Sequence, residues 1–502
     1  MKPLIEMIYA ARKEWGAEES DNSNRARQVI AKVVQDRFPR IDPELAQRKN
    51  GESKFQLRVN ADTKEKAVPY AALIPPDQDL SGPYGGMSFV LFPASEDGAP
   101  ALISMVVGTH GLAPDEAILG RPGHARKCAA ITAWLNARVP GSAWAKRDPV
   151  RVDIDLPKAT KFALSPWAGA TNQYGKVIYA TFAPPTKRTP ETDRVVEDAL
   201  TAFIDLFFDE RNLEPRVDAK AQSERIRRAW MKHLLRATSA ETVASLLESR
   251  RFVVLEGPPG TGKTRLAEGL LRDRYGQRGR VIQFHPGTTY ESFIGGLAPK
   301  TGGGLGFTFE PTWGHLMHAA SEARKHPDRR HLLVIDEINR ADLAKVLGEA
   351  IYLFEPGETA RAVTLAHDFD EFGREFQLPP NLDVLGTMNS ADRSIAILDV
   401  AVRRRFAFVP MWPQIDVVEE RSGEILRDRF QLLLTIFLEH ASDDTFSLLP
   451  GHAYFLGSDA EAKLRLATGV RPLLVEYLAQ GYVGGFADEI RAYVDRLECD
   501  AT

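Results

Sequence analysis

The chain has 502 residues, 44% of them hydrophobic and 26% charged, the make-up of an ordinary globular protein with length for roughly three domains. Its two cysteines, Cys128 and Cys499, exclude a disulfide framework and a cysteine-built zinc or iron–sulfur site and fit a reducing, cytoplasmic setting; no apolar run approaches the roughly 18 residues of a membrane span. The net charge of −4 joins unlike parts: residues 1–190 hold 26 Lys and Arg against 20 Asp and Glu, so +6, and the remainder carries −10. Residues 121–190 alone hold 12 basic and 3 acidic side chains, a segregation that points to an anionic partner for the front of the molecule.

In chain order, MKPLIEMIYAARKEW reads as an amphipathic helix and not a signal peptide, and helical apolar spacing covers 1–20 and 24–38. Residues 40–85 read as irregular, punctuated by Pro43, Pro69, Pro75, Pro76 and Pro83. Strands are expected over 87–92, 101–107, 151–156 and 177–182, with a loop and helix over 113–137. These make a mixed α+β module of residues 1–190, closed by the proline-rich stretch 183–190. Helical spacing at 192–211, 221–237 and 241–248 makes 191–249 a helical connector. From Arg251 short apolar strands at 252–255, 281–284, 332–335, 382–386 and 406–409 alternate with helices, the pattern of a parallel sheet in an α/β core over 250–413. Residues 414–502 read as a mostly helical cap.

Gly257-Pro258-Pro259-Gly260-Thr261-Gly262-Lys263-Thr264 fits G-x-x-x-x-G-K-[ST], follows a strand and opens a helix at Arg265. The glycines let successive N–H groups curl inward at phosphate oxygens, and the helix N-terminus adds partial positive charge. Lys263 reaches the β- and γ-phosphates, and the Thr264 hydroxyl is a magnesium ligand. His331 to Glu337 is an apolar strand ending in two carboxylates; Asp336 would hold magnesium and Glu337 polarise the attacking water. Leu382 to Asn389 is a second strand with a polar end, its amide suited to orienting that water or touching the γ-phosphate. Arg403, Arg404 and Arg405 follow closely and suit either a same-chain sensor or an arginine aimed at a neighbouring subunit's γ-phosphate.

GPPGTGK at 257–263, DEINRAD at 336–342 and MNSADRS at 388–394 together resemble the AAA+ superfamily. More narrowly they resemble the motor subunit of modified-cytosine restriction systems, the McrB type, and its MoxR-like relatives. FHPGTTYESFIGGLAP at 284–299, AILDVAVRRRFAF at 396–408 and LLPGHAYF at 448–455 carry the narrower likeness, the last with Ala453 where the family usually has Ser. The resemblance covers about 251–480. It implies a P-loop core with a helical lid, a ring, usually a hexamer, and magnesium with GTP, against ATP in most relatives. It also implies a separate McrC-like nuclease subunit. It maps the family signature onto Asn389, Asp392 and Arg393 and makes Arg340 a trans-acting candidate beside Arg404 and Arg405. Residues 354–380 can form a hairpin around Pro356-Gly357, which in this superfamily would face the central channel or a partner, or else be an ordinary surface hairpin.

The front module matches no domain securely. In the resembled family this region often recognises modified DNA. Independently, basic residues here interleave with aromatics, which suits phosphate contact and base stacking. The candidates are Arg121, His124, Arg126, Lys127, Lys146, Arg147, Lys161 and Lys176, with Trp134, Trp144, Trp167, Tyr174 and Tyr179. No nuclease constellation stands out, so cleavage falls to another chain. The reading is thus a magnesium-dependent GTPase or ATPase that recognises DNA in a restriction or antiviral complex; the alternative is a MoxR-like ATP-driven remodelling chaperone.

Overall fold

The computed structural model describes residues 1–15, 25–38, 56–60, 68–74, 85–94, 98–108, 119–211, 213–301, 307–392 and 400–499. They fall into two compact units: Met1–Leu234 with Leu438–His440, and Leu235–Phe437 with Ala441–Thr502.

The first unit is built on a six-stranded antiparallel sheet ordered β1-β2-β3-β4-β6-β5. Its strands are β1 (Gln56–Asn60), β2 (Tyr70–Ile74), β3 (Met87–Phe92), β4 (Leu102–Val107), β5 (Ala143–Ala145) and β6 (Ile178–Phe182). β2, β3, β4 and β6 are buried along their whole length because both sheet faces are covered, which removes the usual polar alternation. One face packs Tyr70, Ile74, Phe92, Val106 and Ile178 against Leu156, Leu164 and Trp167. The other receives the helix Pro190–Asp209. That helix starts cleanly: Thr189 and Thr192 form a reciprocal capping box and Pro190 fills the first turn. Its stripe of Val196, Ala199, Leu200, Phe203 and Phe207 is fully buried. This helix and Val217–Leu234, both within the stretch read as a connector, pack in the first unit, and the division falls between Leu234 and Leu235.

Two readings of this unit need correction. Residues 40–85 are not wholly irregular: β1 and β2 pair antiparallel, Gln56 opposite Ile74, so Pro69 borders a strand rather than excluding one. Residues 151–156 alternate like a strand but form turns. The reason is local: Lys146 Nζ donates to the carbonyls of Arg151 (2.9 Å), Ile154 (2.9 Å) and Lys176 (2.7 Å), taking acceptors that a ladder would need.

The second unit holds a five-stranded parallel sheet ordered β15-β7-β14-β11-β8. Its strands are β7 (Phe252–Gly257), β8 (Gly279–Gln283), β11 (His331–Asp336), β14 (Leu382–Asn389) and β15 (Ala407–Pro410). Successive side chains feed opposite cores. Val253, Leu255, Leu332, Val334 and Leu385 pack with the helices Ala240–Arg250 and Lys263–Asp273, and Phe252, Val254, Leu333, Ile335 and Val384 with the helix His315–Lys325. Two hairpins stand apart from this sheet: β9 (Gly295–Thr301) with β10 (Phe307–Trp313), and β12 (Ala362–Phe369) with β13 (Gly373–Gln377). The second turns at 370–372, not around Pro356-Gly357: Pro356-Gly357 sits in an earlier turn, and the strands begin only at Ala362. After Pro413 the described residues are helices and turns. Among the described residues no helix is long and apolar enough to cross a membrane.

Candidate functional site

Strand order assembles the site. β7, β14 and β11 are neighbours, with Asn389 level with Gly257 and Gly386 level with Ile335, so three chemically distinct strand ends open at one edge, where open α/β sheets bind ligands. After β7 the chain curls through Gly260 (φ 80°) and Gly262 (φ 83°), left-handed positions that favour glycine. Thr261 braces the curl by donating to Pro258 O at 3.0 Å. The helix Lys263–Asp273 then begins at Gly262 without a side-chain cap, leaving its first amides for an anion.

Lys263 Nζ donates to Gly257 O (2.9 Å) and Pro258 O (2.8 Å). Burial pulls its pKa down to about 8, against the opposing pull of Glu337 and Asp336. Asp336 Oδ1 accepts two hydroxyls, Thr264 Oγ1 at 2.8 Å and Thr387 Oγ1 at 2.6 Å. Glu337 is left-handed (φ 53°, ψ 48°), an uncommon conformation for a non-glycine residue, and its N–H donates to Thr387 Oγ1 at 3.1 Å. Its Oε2 is buried without a hydrogen bond; Arg340 Nε lies 3.5 Å away. Asn389 Oδ1 accepts the Ala391 N–H at 3.0 Å, and Asn339 Nδ2 donates to Asn389 O at 3.3 Å.

A hydroxyl and a carboxylate held together at the mouth of a phosphate loop are hard oxygen donors, the chemistry magnesium requires, with nucleotide phosphates completing the set. Thr264 and Asp336 therefore fit that ion. Among the described residues no group of three or more His, Cys, Asp and Glu is arranged to hold a metal by protein ligands alone.

Residues 252–406 match the AAA domain, dynein-related subfamily. The chain carries an AAA domain. It is 37% identical over 190 residues to the type IV methyl-directed restriction enzyme EcoKMcrB subunit of Escherichia coli K12, covering 37% of this chain and 40% of that protein. It is 29% identical over 191 residues to the type II restriction enzyme BsuMI component YdiS of Bacillus subtilis 168, covering 31% and 55%. The AAA+ core is thus McrB-like, and the chain spans about half the length of these relatives or less.

Within the AAA domain the arginines divide. Arg340 is 45% exposed and lies 3.9 Å from Asp392. Arg404 is exposed, whereas Arg405 is buried, donating to Ala401 O at 2.8 Å with Glu355 3.6 Å away. A guanidinium tied inward in this way is not presented to a neighbouring subunit, which corrects that reading of Arg405. Arg403 lies over the Phe408 ring, Arg265 is exposed, and Arg393 lies outside the described residues.

The stretch 448–455 docks on the phosphate loop. Gly451 N–H donates to Pro259 O (2.9 Å) and Ala453 N–H to Gly260 O (3.0 Å). His452 Nδ1 accepts the Gln414 N–H at 3.1 Å. Because residue 453 acts through its backbone, alanine serves there as well as serine. Thr387, Asn339 and Gly451 were not singled out by the sequence; Thr387 stands two residues before Asn389, an offset that carries no signal until β11 and β14 are in register.

In the first unit four of the candidate DNA residues are interior. Arg126, Lys127, Lys146 and Trp167 are 7%, 3%, 5% and 4% exposed. Lys127 pairs with Glu210 at 2.9 Å, Lys146 holds three carbonyls, and Trp167 Nε1 donates to Pro100 O at 3.0 Å. Buried and paired groups do not meet a phosphate, so these four are structural. His124, Trp134 and Tyr179 are also buried, and Trp144 packs against the core. Arg121, Arg147 and Lys176 are exposed, and Lys161 pairs with Asp155.

Proposed function

We propose that this protein is a magnesium-dependent nucleoside triphosphatase of the McrB type. In this reading it uses GTP and serves as motor and DNA-recognition subunit of a restriction or antiviral complex whose cutting is done by a separate nuclease chain. The observation that carries it is the convergence of Thr264 and Thr387 on one oxygen of Asp336, beside Lys263 and a Glu337 oxygen that makes no hydrogen bond and faces Arg340 Nε at 3.5 Å. Gly257 to Thr264 wrap the phosphates with Arg265 at the rim. Lys263 gives up its two carbonyl partners to meet β- and γ-oxygens, and Thr264 and Asp336 would hold magnesium, whose charge would offset that of the phosphates. Glu337 orients and polarises water, and Asn389 confines it. Arg340 and Arg404, both exposed, complete a neighbour's site in a ring, expected to be hexameric, while Asp392 aims Arg340. The unit built on residues 1–234 meets DNA through Arg121, Arg147 and Lys176, and the helices after Pro413 act as the lid.

The test is hydrolysis of GTP and of ATP by the full chain, alone and with the product of an adjacent nuclease gene, beside a DNA gel shift. GTP turnover stimulated by that partner, with DNA binding, supports the reading. Turnover of ATP alone without DNA binding favours a MoxR-like remodelling chaperone. Glu337→Gln is expected to keep nucleotide and lose turnover; unchanged turnover removes Glu337 from its role.

A further inference from the structure

We propose that Thr387 is the positioning residue that sets both acidic groups of the site with a single hydroxyl; this rests on the nucleoside triphosphatase reading above. Pairing of β11 with β14 sets Ile335 level with Gly386, so Asp336 and Thr387 are the next residues of their strands. Thr387 is 1% exposed, so its hydroxyl has no water to turn to. Its proton goes to Asp336 Oδ1 at 2.6 Å, and its lone pair accepts the Glu337 N–H at 3.1 Å. One group therefore orients the carboxylate of the metal-binding residue and the backbone of the water-polarising residue next to it.

The two hydroxyls on Asp336 Oδ1 are not equivalent. Thr264 stands on the phosphate loop, and as a magnesium ligand it must give its oxygen to the ion. Thr387 stands on β14 inside the sheet and remains the hydroxyl that holds Asp336 in place. The bond to Glu337 matters for a different reason. That residue is in a left-handed conformation (φ 53°), which persists only where the surroundings over-determine it. Its N–H is anchored by Thr387, while its Oε2 is left without a hydrogen bond. A fixed backbone with a carboxylate oxygen free of hydrogen bonds, met by Arg340 Nε at 3.5 Å, suits a water-polarising group.

The test compares Thr387→Val, which keeps the shape and removes the hydroxyl, with Thr387→Ser, which keeps the hydroxyl. Affinity for a fluorescent nucleotide is measured with and without magnesium, alongside kcat and KM. For Thr387→Val the expectation is a melting temperature lower by a few degrees, because the Glu337 N–H is left unpaired, and a wild-type magnesium-free affinity. Its kcat falls by about tenfold or more, the fold-change of losing one hydrogen bond to a charged acceptor. The magnesium concentration that half-tightens nucleotide binding rises several-fold. Thr387→Ser restores both. Wild-type kcat and magnesium response in Thr387→Val overturns the proposal, as does equal failure of Thr387→Ser. If Thr387→Val does not fold, Thr387→Ala takes its place under the same criteria. Wild-type protein that hydrolyses neither GTP nor ATP overturns the triphosphatase reading instead, and the magnesium dependence of nucleotide binding still tests Thr387.

Discussion

Replacing Gly451 by alanine tests whether the 448–455 segment is fastened to the phosphate loop. A Cβ at Gly451 would stand 2.0 Å from the Gly260 carbonyl carbon, 2.2 Å from its oxygen and 2.5 Å from Thr261 N. All three are backbone atoms, so no side chain can swing away, and the segment must part from the loop. Parting gives up the Gly451 to Pro259 and Ala453 to Gly260 hydrogen bonds, worth about 1 kcal/mol each, or else keeps them at an overpacking cost of about 1–3 kcal/mol. The expected loss is about 1–3 kcal/mol, seen as a fall of roughly 2–12 °C in the melting temperature of a unit this size. The loop amides that face phosphate move with their outer carbonyls, so nucleotide affinity should fall by about tenfold, near 1.4 kcal/mol. Thermal melting and titration with a fluorescent nucleotide read both. Ala453→Ser, which leaves the backbone N–H in place, should change neither. A Gly451→Ala protein that melts and binds like wild type refutes the clasp.

Lys263 and Asp383 give two further expectations. Lys263 has a pKa of about 8 without nucleotide, and phosphate oxygens beside it raise that value, so binding takes up a proton once the free lysine has begun to deprotonate. Affinity is therefore full below pH 8 and falls as pH rises through 8, by up to about tenfold per pH unit; equal dissociation constants at pH 7 and pH 9 would contradict this. Asp383 is fully buried at the base of β14, accepting Arg330 Nε and Tyr275 Oη at 2.8 Å each. Asp383→Ala leaves that hydroxyl unpaired and buried Arg251 without its nearby negative charge, at a cost of about 3 kcal/mol. An unshifted urea midpoint would show that the pair contributes nothing.

The parallel sheet was legible because its central strands β7, β11 and β14 are largely apolar, buried runs ended by a glycine, a carboxylate or an amide, the mark of strands covered on both faces. The front sheet was only half legible. β3, β4 and β6 carry the same signal, but β1 (Gln56–Asn60) and β5 (Ala143–Ala145) are short edge strands specified by their neighbours rather than by their own residues. Residues 151–156 failed in the opposite direction. Their alternation is real, yet Lys146, distant in type from any strand signal, claims their carbonyls. Alternation describes what a segment tolerates, and competition for its hydrogen-bonding groups decides what it forms.

The same distinction separates the parts of the site. Lys263, Thr264, Asp336, Glu337 and Asn389 are readable because each stands at a fixed offset from a glycine or a strand end, and such offsets survive folding. Thr387 is unreadable alone, since its role exists only once β11 and β14 are in register. Charge is unreadable for a related reason. A count of 12 basic side chains over 121–190 sums cations that face water with cations spent inside. Lys127 answers Glu210 and Lys146 holds three carbonyls, while Arg138, at the surface, is taken up by Asp198 at 2.6 Å. A buried cation is kept only where partners repay its desolvation, so the positive charge available to an anion comes from the exposed side chains, Arg121, Arg147 and Lys176 among them. The decisive comparison is therefore between exposed and buried members of one cluster. Arg121→Ala with Arg147→Ala should weaken DNA binding and flatten its salt dependence by about one unit of slope for each phosphate no longer neutralised. Lys146→Met should act on the stability of the front unit and leave that slope unchanged. If Lys146→Met alters the slope while the arginine pair does not, the assignment of these cations is reversed.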